Sequence, residues 1–228
     1  MSMVNVTERI KNTKKKINSI DFDAHWYRRV FHAFGASFLF YYMLPNVDWI
    51  NLLKFWVPPA IVIIAIFLEI LRLKGKISGD HFFGLRMYEQ KRVGSYVFFA
   101  VAILILLRFF PQHIAIPCIL CACLVDPIMG EIRHRFSMKY VYVIGFLVCM
   151  FFFMIAWYKV DVRVMLIASV VGGFGAVFGE TKKFWWLDDD FMIQIIPAIL
   201  LLIFWFSLPY FGFNYSNPTI IYPVKMPW

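Results

Sequence analysis

The strongest constraint in this chain is that its apolar residues come in long blocks, separated by short clusters of charge. A helix crosses the ~30 Å hydrocarbon core of a bilayer with about 20 mostly apolar residues, sometimes with as few as ~17. Seven stretches meet or approach that length: 30–45, 52–72, 94–110, 112–128, 139–158, 162–179 and 191–212. The first is short, the third and fourth are joined only by a turn at Pro111, and the sixth carries Gly172, Gly173, Gly175 and Gly179. The chain is 61% hydrophobic and 16% charged, against ~45–50% apolar and ~25% charged in a soluble domain. Block patterning at this composition excludes a soluble globular enzyme, a disordered tail, a disulfide-rich secreted module and a coiled coil. The sequence predicts an all-α, multi-pass integral membrane protein of about seven transmembrane helices.

Basic residues set the orientation, because cytoplasmic loops accumulate Lys and Arg. With seven crossings, the leader up to Arg29, residues 72–93, the turn after the fourth block (Arg133, Arg135, Lys139) and the turn after the sixth (Lys182, Lys183) share one side. That side holds eighteen of the 23 basic residues, leaving Lys54, Arg108, Lys159, Arg163 and Lys225 opposite. The expectation is a basic cytoplasmic leader (1–27), one transmembrane catalytic domain (28–213) and an external C-terminal tail (214–228). The leader is lysine-rich and lacks the apolar core of a signal peptide. Compactness and the lack of long extensions favour the plasma membrane of a prokaryote over an endoplasmic reticulum membrane.

A net charge of +9 in a soluble protein would suggest nucleic acid. Here the cations sit at block ends, where they orient helices and meet anionic headgroups or phosphates, so no nucleic-acid partner is expected. Cys118, Cys121, Cys123 and Cys149 all lie inside apolar blocks, and no nearby histidine or fourth cysteine completes a metal motif. They read as packing residues.

Chemistry therefore concentrates in the few acids at block ends. Asp126 closes the fourth block, and at helical spacing Asp126, Gly130 and Arg133 share one face. A carboxylate at the edge of hydrocarbon is expensive unless paired or metal-bound. An Asp126–Arg133 or Glu131–Arg135 ion pair is the structural alternative. Glu180 ends the sixth block and Asp188-Asp189-Asp190 opens the seventh. One Asp there would be an ordinary cap, but three like charges in a row repel unless a cation lies among them. Asp126, Glu180, Asp188 and Asp189 are thus candidate Mg²⁺ ligands, Mg²⁺ preferring carboxylate and phosphate oxygens. Arg28, Arg29 and His32 stand at the start of the first block, Arg29 and His32 being helical neighbours. With Arg72, Arg133, Lys182 and Lys183 they are candidate phosphate-binding residues. Glu69 and Arg72 are also i, i+3, for which a structural ion pair suffices. The spacing of Gly172/Ala176 and Gly175/Gly179 favours close helix packing over a phosphate loop.

These residues resemble the polyprenol kinase family of membrane lipid kinases: dolichol kinase, phytol kinase and the CTP-dependent diacylglycerol kinase. The family's Arg-Lys-x-x-His-x-x-Gly pattern resembles Arg28-Arg29-Val30-Phe31-His32-Ala33-Phe34-Gly35, and its Glu-x-Leu-Arg helix end resembles Glu69-Ile70-Leu71-Arg72. A Glu before a helix-opening Gly-x-Tyr is similar to Glu89 and Gly94-Ser95-Tyr96. A Glu, an Asp-Asp-Asn run and a proline resemble Glu180, Asp188-Asp189-Asp190 and Pro197. Two positions depart from the pattern. Gly-Asp-Pro-x-Ala is here Val125-Asp126-Pro127-Ile128-Met129, and the expected Asn is Asp190.

The resemblance implies transfer of the γ-phosphate of CTP, or of ATP, to a membrane lipid alcohol with Mg²⁺. The candidate alcohols are dolichol, a shorter polyprenol, geranylgeraniol, phytol and diacylglycerol. It implies a metal-binding or basic role for Asp126 with Glu180 beside it, and phosphate contacts for Arg28, Arg29 and His32. The competing readings are a CTP-dependent phosphatidate-type cytidylyltransferase and a non-enzymatic transporter or structural membrane protein. The latter calls for polar residues in mid-membrane, whereas the charges here lie near block ends.

Overall fold

A computed structural model describes residues 29–77, 91–181 and 187–225. The basic leader, Arg28, Lys182, Lys183 and the last three residues of the tail lie outside the described residues. Among the described residues the chain is all-helical, without strands. The elements are α1 (residues 29–35), a 3₁₀ turn Ala36–Leu39, α2 (Phe40–Met43), α3 (Asp48–Leu73), α4 (Ser95–Phe109) and α5 (Gln112–Leu120). A π turn, Cys121–Val125, leads into α6 (Asp126–Ile132). Then come α7 (Met138–Ala156), α8 (Val162–Thr181), α9 (Asp189–Ser207) and a final 3₁₀ turn, Leu208–Phe211.

Five helices are long and apolar enough to cross a membrane: Asp48–Leu73, Gln112–Ile132, Met138–Ala156, Val162–Thr181 and Asp189–Phe211. The fourth apolar block and its polar extension thus form one run, α5 to α6. Ser95–Phe109 is a shorter apolar helix of 15 residues. The first block is broken rather than continuous, because the 3₁₀ turn separates α1 from α2. Together they rise less than a full hydrocarbon core at ~1.5 Å per residue. The outer surfaces carry Trp49, Leu52, Trp56, Ile63 and Phe67 of α3, Val143, Leu147 and Phe151 of α7, and Ile203 and Phe206 of α9, all exposed. Exposed apolar surface on this scale suits hydrocarbon rather than water.

α9 is the central helix, packing on α8, α4 and α5, while α7 packs on α8 and α5, and α3 flanks α4. The core gathers Leu106, Ile114, Ile119, Met129, Phe153, Trp157, Ile193 and Leu201. The glycines of α8 permit this packing. A Cβ on Gly172 would lie 2.8 Å from the Phe153 ring of α7, and one on Gly175 would lie 2.9 Å from Pro197 Cα of α9. A Cβ on Gly179 would meet the Met192 carbonyl oxygen at 2.5 Å. The spacing read as a packing stripe therefore serves two neighbours, and it brings the end of α8 against the start of α9.

The chain ends sort into two groups. One end of the bundle holds His32, Asp126, Glu180 and Asp190. The other holds Met43, Lys54, Arg108, Gln112 and Lys159, tied together by residues 213–225. There the Gln112 side-chain oxygen accepts hydrogen bonds from the Ile220 and Ile221 amides (both 3.0 Å), and Val224 N donates to Met43 O (2.9 Å). Lys159 Nζ donates to Thr219 O (2.6 Å) and the Tyr222 hydroxyl (2.8 Å). The described part of the tail is a strap across this end.

Gly179→Ala is expected to cost about 1–3 kcal/mol, because the colliding atom is backbone and cannot rotate away. At Gly130 a Cβ has open space, so Gly130→Ala is expected to stabilise by about 0.5–1 kcal/mol. Thermal unfolding of the two variants in detergent measures this; equal midpoints would mean that α8 and α9 do not depend on close approach.

Candidate functional site

The site begins with Asp126-Pro127. Asp126 N reaches Cys121 O, five residues back, which is the π-turn register. The next bond in that register would use the N–H of residue 127, which proline lacks. The Ala122 carbonyl is thereby left open to another helix, and His32 Nδ1 of α1 lies 3.4 Å from it. The His32 ring is held edge-on against Phe99 of α4, centroids 5.1 Å apart. A π turn beside an acidic residue is a common feature of functional helices.

α9 supplies the second carboxylate. Asp188 caps the helix, its Oδ1 accepting from Asp189 N (3.0 Å). Asp190 follows on the buried face, in register with Ile193, Gln194, Pro197 and Leu201. Gln194 Nε2 donates to the Asp190 backbone carbonyl (2.8 Å). His32 lies between the two acids, Nδ1 3.9 Å from Asp126 Oδ2 and Nε2 3.7 Å from Asp190 Oδ1. One ligand atom from each of the three lies within 4.8 Å of the others. Asp188, Asp189 and Asp190 form a second such group.

Glu180, at the end of α8, is buried at 6% exposure. Its Oε1 accepts from Arg133 Nη2 at 2.7 Å, and its Oε2 is buried with no hydrogen-bond partner among the described residues. Asp126 and Asp189 are its electrostatic neighbours. At the rim, Arg29 Nη1 pairs with Glu131 Oε2 at 2.5 Å. The ion pairs within one helix suggested by spacing, Asp126–Arg133 and Glu131–Arg135, do not occur among the described residues. Both Arg133 and Glu131 reach other helices instead.

Arg72 belongs to a separate network. Its guanidinium donates to both oxygens of Glu69 (2.7 Å each) and to Arg92 O (2.6 Å). Glu69 also accepts from Gly94 N (2.6 Å) and the Tyr96 hydroxyl (2.7 Å). The pair is buried and joins α3 to the start of α4. The sequence had nominated Arg72 as a phosphate-binding residue; the structure engages it with Glu69 and a backbone carbonyl.

Of the nominated residues, the structure brings together Asp126, Glu180, His32 and Arg133, with Arg29 at the rim and Asp188 and Asp189 at the start of α9. Arg28, Lys182 and Lys183 lie outside the described residues. Asp190 is not among the ligands nominated by sequence, yet its Oδ1 lies 3.7 Å from His32 Nε2. The i, i+3, i+4, i+7 series from Asp190 through Ile193, Gln194 and Pro197 is the signal that turns it inward.

The donor set fits a hard divalent cation. It has carboxylates from three helices, a buried Glu180 oxygen without a hydrogen-bond partner among the described residues, and ligand atoms of His32, Asp126 and Asp190 within 4.8 Å of one another. His32 is the softer donor and equally suits a phosphate oxygen. Comparison with protein families, with curated proteins and with solved structures gives no match for this chain.

Truncating one partner of a buried ion pair strands the other. Arg72→Ala is therefore expected to destabilise the protein by about 3 kcal/mol, read as a lower midpoint in denaturant. Glu69→Gln/Arg72→Gln should recover part of that loss; a double variant no better than Arg72→Ala would place the cost in packing instead.

Proposed function

We propose that this protein is a lipid alcohol kinase that transfers the γ-phosphoryl group of CTP, or of ATP, to a membrane isoprenoid alcohol such as a polyprenol or dolichol. The observation that carries the reading is the convergence of His32 from α1, Asp126 from α6 and Asp190 from α9 at one end of an apolar bundle, beside the Glu180–Arg133 pair. The resemblance of Arg28 to Gly35, Glu69 to Arg72 and Glu180 to Pro197 to the polyprenol kinase pattern supports the same reading.

Phosphoryl transfer needs positioned charge more than covalent chemistry. In this reading Asp126, Glu180, Asp188 and Asp189, joined by Asp190, would hold Mg²⁺, which would supply positive charge to offset the phosphates. Arg133 and Arg29, each at the edge of the cluster and paired with Glu180 and Glu131, would exchange those partners for the nucleotide phosphates, and Lys182 and Lys183 are further candidate phosphate contacts by sequence. Asp126 is more exposed than Asp190, at 17% against 2% of the side chain. It can ligate the ion or take the proton of the attacking hydroxyl. The alcohol oxygen forms the new O–P bond, the bond between the γ-phosphorus and the bridging oxygen breaks, and CDP leaves with that oxygen. The lipid tail lies between helices in hydrocarbon.

The orientation proposed with it is seven passes, with the cluster and the N-terminus cytoplasmic and the tail outside. The sequence, read with seven crossings, assigns eighteen basic residues to that side, which supports the orientation. Cysteine labelling of intact cells at an N-terminal Ser2→Cys site and at a Lys225→Cys site is expected to modify only the latter. Labelling both from the same side would remove the seven-pass arrangement.

The decisive assay incubates purified protein with γ-labelled CTP or ATP, Mg²⁺ and a panel of lipid alcohols. Labelled lipid monophosphate and CDP are expected. Pyrophosphate release with a CDP-lipid product would instead identify a cytidylyltransferase, and no turnover with any alcohol would favour a transporter or structural protein. Asp126→Asn and Asp190→Ala are each expected to lower activity at least ~10³-fold, as for loss of a charge-stabilising group, while the protein stays folded. Full activity in both would refute the assignment.

A further inference from the structure

At the end of the bundle opposite the acidic cluster, a cleft of about 610 Å³ opens between α2, α3, α4, the start of α5 and the tail strap. Its lining is rich in hydrogen-bond donors and contains no acidic residue. Lys54 and Arg108 supply two cations, and Asn51, Gln112 and Tyr222 are among the neutral groups. Only five of the 23 Lys and Arg residues fall at this end by sequence, and two of them share this one cleft.

Neither cation has a carboxylate partner among the described residues. The acids of this end are otherwise placed: Asp48 opens α3, and Asp161 Oδ1 accepts from Arg163 N (2.8 Å). Lys54 Nζ instead donates to Leu44 O (2.7 Å) and Asn46 Oδ1 (3.3 Å). Arg108 donates through Nη2 to Phe55 O and stacks on the Phe55 ring at 4.3 Å. Both side chains are held in place by neutral acceptors, which anchor them without cancelling their charge. Gln112 Oε1 is occupied by the Ile220 and Ile221 amides, so its Nε2 is the group left to donate. Cations, an amide donor and no carboxylate describe an anion site.

We propose that this cleft binds a phosphate group, with Lys54 and Arg108 providing the charge and Gln112 a neutral donor. Lys54 stands in the second turn of α3 and Arg108 in the last turn of α4, the border where lipid phosphates lie and where long basic side chains snorkel. A phospholipid headgroup and a soluble phosphate share the chemistry, and the volume accommodates either. The site is independent of the kinase reading, since it uses none of the same residues.

The test is native mass spectrometry of the full chain released from detergent, offered phosphatidylglycerol, phosphatidylcholine or inorganic phosphate. Retention of phosphatidylglycerol over phosphatidylcholine is expected, and it assigns the site to an anionic headgroup. Binding of inorganic phosphate without lipid preference assigns it to a soluble phosphate and equally supports the proposal. Lys54→Gln and Arg108→Gln should each weaken binding roughly tenfold or more, as for loss of one charged hydrogen bond. Arg163→Gln removes the same charge outside the cleft and should leave binding unchanged. Lys54→Gln keeps the test valid if Arg108→Gln misfolds, because Lys54 bonds only to exposed partners. Undiminished binding in Lys54→Gln, or an equal loss in Arg163→Gln, overturns the proposal, as does failure to bind either phosphate source. Asp126→Asn should bind as the unaltered protein does, whether or not any kinase activity is found.

Discussion

A backbone carbonyl that loses its helical donor inside hydrocarbon has no water to turn to, and leaving it bare costs several kcal/mol. Pro58, Pro59, Pro117, Pro127 and Pro197 all lie within helical runs and withhold such a donor, and at two of them, Pro59 and Pro127, a side chain from another helix lies at the freed carbonyl. Pro59 withholds the N–H that would bond Phe55 O, and the Arg108 guanidinium of α4 takes its place. Pro127 withholds the N–H that the π turn would direct to Ala122 O, and the His32 ring of α1 lies against that oxygen. In each case a local defect recruits a side chain from another helix. One of these contacts anchors a cation at the end closed by the tail. The other fixes the imidazole around which Asp126 and Asp190 gather.

Packing then carries that arrangement through the bundle. Gly179 lets the end of α8 touch the backbone of α9 one turn past Asp190, so Glu180 and Asp190 cannot move apart without opening the helix pair. Glu69 and Arg72 do the equivalent for α3 and α4. Gly94 N and the Tyr96 hydroxyl complete the Glu69 shell, and Phe99, a turn further along α4, supports His32. The acids and bases at this end are held by helices whose spacing is set by glycine, by ion pairs and by ring contacts, giving the preorganisation that charge stabilisation needs.

How much of this the sequence reveals depends on whether the cause is local. Six of the seven apolar blocks correspond to helices, because length and hydropathy are properties of the segment itself. Block one is not one continuous helix, because the Ala36–Leu39 turn interrupts it, and no glycine or proline inside that turn announces the break. The i, i+3 pair Glu69–Arg72 was readable for the same local reason. Arg133 and Glu131 were not: each had a plausible partner on its own helix and found another, Glu180 and Arg29, across the bundle. Asp190 stands where the lipid kinase pattern has Asn, which sets it apart from Asp188 and Asp189, and a run of three acids has no internal marker of which one faces inward. Only its register with Ile193, Gln194 and Pro197 decides that.

The identity of residue 190 also bears on the chemistry. The lipid kinase pattern carries an amide there, and this chain carries a carboxylate. Two like unit charges at 4.8 Å repel by about 3 kcal/mol at an effective dielectric of about 20. Asp126 and Asp190 flank His32, and Glu180 beside them is paired with Arg133. An added acid at such a place raises the tension of the bare cluster. It raises the attraction for a divalent ion by more, because each carboxylate then faces two positive charges instead of another negative one. Under the proposed lipid kinase function, a carboxylate at residue 190 would favour metal holding over hydrogen bonding. In the proposed reaction that trade strengthens the grip on the ion and leaves the arginines to receive the nucleotide phosphates.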